Sequence, residues 1–115
     1  MPAHARPTPT GSFTITFQGR VGTVVLDVKG ATSQDETTVG TWCFRADGSQ
    51  IPMGNLGPPH NPYIYEINWF GHLDRPGTLP IPDDAVNCTS QLIVADWFKG
   101  EVVQAWTLYT TSYTF

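Results

Sequence analysis

The sequence of 115 residues predicts a small all-β fold, an antiparallel β-barrel with a β-sandwich as the alternative. Three observations carry this. Short stretches alternate apolar and polar residues with a period of two, clusters of Gly and Pro separate them, and no stretch holds helical periodicity over three turns.

The elements follow in order. In "SFTITFQ" (12–18), Phe13, Ile15 and Phe17 alternate with threonines, the pattern of a half-buried strand. After Gly19-Arg20, "GTVVLDVKG" (22–30) sets Val24, Leu26 and Val28 on one face and forms a second strand, hairpinned to the first. A polar loop, "ATSQDE", leads to "TTVGTWCFRADG" (37–48), which carries β-branched and aromatic residues into an Asp47-Gly48 turn. Residues 50–62 contain four prolines and two glycines and form a long loop. "YIYEINWF" (63–70) is the fourth strand. A second Pro-rich loop (71–87) precedes "SQLIVADWF" (90–98), and Lys99-Gly100 turns tightly into the final strand, 101–115. The opening stretch 1–11, rich in Pro, Ala and Thr, is expected to be a disordered arm or tag remnant, leaving 12–115 as a single barrel domain.

Composition narrows the function. The chain is 40% hydrophobic but only 14% charged, against a usual share of about a quarter, so much of the surface must be neutral polar or apolar. A net charge of −4, with six Lys and Arg spread along the chain, supplies no basic stripe, so nucleic acid is not an expected partner. No apolar run is long enough for a membrane span, and the first residues have no apolar signal core; a soluble protein is expected, its compartment left open. Cys43 and Cys88 lie beside strands, where either a disulfide or two buried thiols is compatible with the sequence. Asn87-Cys88-Thr89 fits the glycosylation sequon, a pattern short enough to arise by chance.

Aromatic residues are the strongest chemical signal. Trp42, Trp69, Trp97 and Trp106, with Tyr63, Tyr65, Tyr109 and Tyr113, all fall on strands. Core packing is their ordinary role, yet four tryptophans exceed the need of so small a core, and an aromatic-lined pocket with a few polar groups is the common plan of a small-ligand site. Within "YIYEINWFG", Glu66 and Asn68 share a strand face with Ile64 and Phe70. A carboxylate in that strip either faces solvent, pairs with an arginine, or sits in a cavity that raises its pKa and makes it a candidate acid or base. Arg20, Arg45 and Arg75 are the candidate partners, and a partner or ligand contact is expected over a free surface position. No nucleophile elbow, phosphate-binding loop or dinucleotide fingerprint occurs. His60, His72 and Asp74 lie on the two long loops, but their spacing is no metal signature, and neither metal nor cofactor is expected.

"YIYEINW" and "TSQLIVADWFKGEVVQAWTLYTT" together resemble the region of the avidin and streptavidin family in which an aromatic strand ends in an Asn-Trp pair and a later hairpin carries Trp-x-Leu. "GSFTITFQGRVGTVVLDV" is more loosely similar to the family's first hairpin. The resemblance covers about 50 residues, mainly 63–110. It implies an avidin- or lipocalin-like barrel, with Trp69 and Trp106 as walls of a ligand pocket. The family's Gly-Thr-Trp opening is missing from the N-terminus, "GTW" standing instead at 40–42, and its last strand has no counterpart.

The leading expectation is a barrel that holds an apolar or ring-containing small molecule without chemistry, with Trp69, Trp106, Trp42, Tyr65, Asn68 and Trp97 about the ligand. The alternatives are a barrel enzyme catalysing cyclisation or isomerisation with Glu66 as acid or base, and a lectin-like or structural interaction module. An enclosed cavity would favour the first two and a filled core the third. Low charge with apolar residues on both faces of the later strands predicts a homo-oligomer, most simply a dimer.

Overall fold

A computed structural model of the chain describes residues 6–115. Seven strands follow one another: β1 (Thr10–Gln18), β2 (Val21–Lys29), β3 (Asp35–Phe44), β4 (Tyr65–Trp69), β5 (Gly77–Pro80), β6 (Asn87–Phe98) and β7 (Glu101–Thr114). They form a three-stranded sheet ordered β1-β2-β5 and a four-stranded sheet ordered β4-β3-β6-β7, antiparallel throughout. The all-β expectation holds, but the barrel does not close. A ring would need ladders from β5 to β4 and from β7 to β1, and neither exists. Side chains join the sheets at both seams instead: Phe13 meets Tyr109 edge to face with centroids 5.2 Å apart, and the Trp69 ring lies over Gly77. The arrangement is sandwich-like, with one core between the sheets.

Local sequence explains the hairpins. Gln18 pairs with Val21 across Gly19-Arg20. Phe98 pairs with Glu101 across Lys99-Gly100, whose φ values of 55° and 78° are both positive, the type I′ geometry that matches strand twist. Two elements differ from the sequence reading. β4 starts at Tyr65 because the Asn61 side chain accepts the Tyr63 N–H in a local turn. Within the expected loop 71–87, Gly77–Pro80 forms the short strand β5, which sends Leu79 inward and pairs with β2 before Pro82 ends it.

The core follows the period-two pattern. Val39 and Thr41 on β3 stand opposite Leu92 and Ser90 on β6, all fully buried, while their neighbours face outward. Phe13, Val24 and Leu79 reach in from the other sheet. Cys43 and Cys88 are direct cross-strand partners, 4.1 Å apart at Cα, and form a disulfide, which decides between the two states left open by sequence.

The N-terminal boundary needs correction. Residues 1–5 of the expected arm lie outside the described residues, but the structured domain starts well before residue 12. Pro9 is buried against Gly30, and β1 begins at Thr10. Arg6 donates from Nη1 and Nη2 to the two carboxylate oxygens of Asp35, at 2.6 and 2.8 Å, and Nη2 also donates to the Gly30 carbonyl. Asp96, the cross-strand partner of Asp35, lies 3.6 Å from the same guanidinium, which stacks over Trp106 with its carbon 5.2 Å from the ring centroid. Charge explains why these residues belong to the fold: two acids buried side by side require a cation.

Candidate functional site

Each open seam forms a groove. At the first, β1 contributes Phe13, Thr14 and Ile15, and β7 contributes Tyr109, Thr111 and Tyr113. Tyr109, Thr111 and Tyr113 are the cross-strand partners of Leu92, Ser90 and Cys88, so strand alternation turns them all toward the inner face. The groove is open to solvent and holds about 300 Å³, near the lower end for small-molecule sites. Aromatic contacts fix its walls: Phe13 against Tyr109, Phe17 against Tyr113 at 5.4 Å, and Phe17 and Tyr113 both against Phe115.

Its electrostatics are neutral. None of the six lining residues is charged. The Tyr113 hydroxyl hydrogen-bonds Ser90 Oγ at 2.7 Å, and Ser90 Oγ bonds Thr41 Oγ1 at 2.7 Å, so a chain of hydroxyls runs from the groove into the core. Burial pushes the Tyr113 phenol above its ordinary pKa, partly offset by its hydroxyl partners. It is therefore a neutral hydrogen-bonding group at physiological pH and no proton acceptor. Tyr109 is 38% exposed and presents its ring to an incoming molecule.

The second groove, about 290 Å³, lies at the β4/β5 seam. Ile67, Asn68, Trp69, Phe70 and the turn from Gly71 to Gly77 line it, with His72 and Arg75 as its basic side chains. Trp69 is 6% exposed, and its indole N–H already donates to the Arg75 carbonyl at 2.9 Å. A Cβ at position 77 would come within 2.9 Å of the Trp69 ring, so the absence of a side chain at Gly77 seats the indole.

The six residues named from sequence as ligand contacts do not converge. Tyr65, Trp69 and Trp106 stand on the inner face of the four-stranded sheet, whereas Trp42, Asn68 and Trp97 stand on its outer face. Trp69 and Asn68 touch the second groove, Trp106 lies under Arg6, and Tyr65 packs on the core. Asn68 accepts a hydrogen bond from Thr38. Glu66 also faces outward, with its carboxylate 3.4 Å from His60 Nδ1. The arginines proposed for it are engaged or placed elsewhere: Arg20 donates to the Pro82 and Ala85 carbonyls, Arg45 pairs with Asp84, and Arg75 borders the second groove. Glu66 lines neither groove. Among the described residues, no group of three His, Cys, Asp or Glu side chains gathers as a metal site.

Sequence reasoning placed Tyr109 and Tyr113 on a strand but did not join them to Phe13, Thr14 and Ile15. Both alternations were visible, 13-15-17 and 109-111-113. Their meeting depends on which edges the two sheets bring together. Comparison with family models, with characterised proteins and with solved structures finds no match.

Proposed function

We propose that this protein is a non-catalytic binding module that holds a neutral, ring-containing small molecule in the groove between β1 and β7. The observation that carries this reading is the lining itself: aromatic faces from Phe13, Tyr109 and Tyr113, threonine hydroxyls from Thr14 and Thr111, and no charge. Such a surface suits a planar or ring face with a few hydroxyls, by stacking and short hydrogen bonds. It holds no carboxylate, imidazole or amine to serve as a base, and Glu66 lies on the opposite face of its sheet, so the cyclase or isomerase alternative built on Glu66 has no support from this groove. The contacts move from the tryptophans to Phe13 and the β7 tyrosines.

A panel of neutral phenyl glycosides and free phenols, screened by saturation-transfer NMR against the full chain, tests the reading. Binding lost in Tyr109→Ala and weakened in Thr111→Val, with the fold retained, is the expected result. Equal binding by Tyr109→Ala and the unaltered protein would refute the site. Native mass spectrometry of protein from its source tests for a retained ligand and reports the expected homodimer in the same spectrum.

The lectin-like or structural reading is favoured by a separate observation: the core between the sheets is filled by side chains such as Leu79, Val39 and Leu92. It predicts partner contacts on the outer surface, and no loss on Tyr109 substitution.

A further inference from the structure

The four outer edges of the two sheets are protected very unequally. At the β4 edge, the Asn55 side chain imitates a neighbouring strand: its Nδ2 donates to the Glu66 carbonyl and its Oδ1 accepts the Glu66 N–H, both at 2.8 Å. β5 is four residues long and ends at Pro80, and a short, proline-terminated strand cannot template a long ladder. β1 runs beside the second half of β7, joined to it by the Phe13–Tyr109 and Phe17–Tyr113 contacts. Among the described residues, the first half of β7 has none of these protections. Glu101 to Ala105 are five consecutive exposed residues, where a strand covered on one face would alternate, and Val102 and Val103 are each 48% exposed.

Charge is missing as well. Over Glu101–Thr114 the one ionisable acid or base besides the tyrosines is Glu101, and there is no Lys, Arg or Pro. Natural sheets commonly place a charge or a proline on an edge of this length to prevent pairing. β7 carries register shifts opposite Leu92/Ile93 and Asp96/Trp97, which twist the strand but leave its β-branched and aromatic sequence intact.

We propose that the β7 edge is a homodimer interface, in which a second copy of this chain adds its own β7 antiparallel about a two-fold axis near Ala105. The pairing joins the two four-stranded sheets into one sheet of eight. Symmetry and charge together select this occupant. Such an axis preserves sheet faces, sets the small Ala105 side chains against each other, and places Val103 of one copy near Thr107 of the other. The two Glu101 carboxylates then fall at opposite ends of the ladder, eight residues or roughly 27 Å apart along the strand, well beyond the screening length at physiological salt. An edge with one acid in fourteen residues has little charge with which to select a foreign sequence, whereas its own copy supplies the same row of Val, Thr and Trp.

Sedimentation velocity of the full chain from micromolar to millimolar concentration tests this, with amide hydrogen exchange on the same samples. The expected species has twice the 12.6 kDa chain mass, and protection of the 101–105 amides rises with concentration. Ala105→Lys, checked for its strand content by circular dichroism, should weaken the dimer at least tenfold, because it sets two like charges directly opposite each other at the two-fold axis. A protein that stays monomeric at millimolar concentration would overturn the proposal. So would a dimer whose dissociation constant ignores Ala105→Lys while the 101–105 amides exchange independently of concentration, or an edge that pairs only with an unrelated strand.

Discussion

Replacing Arg6 by Ala should destabilise the protein far more than a change near a chain terminus ordinarily would. The Arg6 side chain is 14% exposed, and those of Asp35 and Asp96 are 0% and 2% exposed, so the substitution removes a cation from beside two buried acids. Breaking a buried ion pair from one side costs about 3–5 kcal/mol, because the remaining charge is left in a poorly solvated place. With an unfolding entropy near 2.1 cal/mol/K per residue, that loss corresponds to a fall of roughly 12–20 °C in Tm for a domain of this size. The pH dependence adds a second signature. Burial pushes the Asp35 carboxyl up, but its hydrogen bonds to the Arg6 guanidinium and the Thr32 N–H outweigh it and hold the folded pKa below the ordinary value. Its stabilisation is therefore fully present above the unfolded carboxylate pKa and is lost as pH falls through the depressed folded value. Arg6→Ala leaves burial in control, raises that pKa and moves acid unfolding to higher pH. Thermal unfolding by circular dichroism at pH 7 and across the acid limb, with Asp35→Asn and the double variant completing a cycle, measures both effects. An Arg6→Ala protein within about 0.5 kcal/mol of the unaltered one, the range of ordinary surface changes, would refute the clamp.

Further outcomes follow from the same structure. Removing the disulfide by joint Cys43→Ala and Cys88→Ala substitution should cost about 4 kcal/mol on the chain-entropy scale for cysteines 45 residues apart, read from urea unfolding midpoints; a loss under about 1 kcal/mol would contradict it. Trp69→Ala should cost about 3–5 kcal/mol, because it empties the volume the indole fills over Gly77, whereas a change below about 1 kcal/mol would mean that the ring is not core. Glu66→Gln and His60→Ala should each change stability by less than about 1 kcal/mol, since the pair lies on the outer face with His60 half exposed, and a larger loss would show coupling to the fold that its contacts do not provide. Trp42→Ala should leave phenyl glycoside binding unchanged where Tyr109→Ala abolishes it, and the reverse pattern would move the site to the outer face.

The sequence by itself determined what depends on neighbours along the chain. Period-two alternation marked β1, β2, β3, β6 and β7, because a strand sends successive side chains to opposite faces whatever it packs against. Lys99-Gly100 announced its hairpin through a glycine at a position of positive φ. β5 was hidden because four residues between prolines carry too short a pattern to stand out from a loop. What only the tertiary structure decided depends on partners distant in sequence. Arg6 lies 29 residues from Asp35 and far along the chain from Asp96, and only the sheet brings the three together and thereby draws the described part of the expected arm into the domain. Glu66 and Trp69 are neighbours in one aromatic motif, yet strand parity sends one outward to His60 and the other into the core. Whether the ring of strands closed was likewise a matter of edges. Short-range patterning specifies which face of a strand is apolar, but the packed rings that join β1 to β7 without a backbone ladder are set by how two twisted sheets meet, and that meeting is where the groove arises.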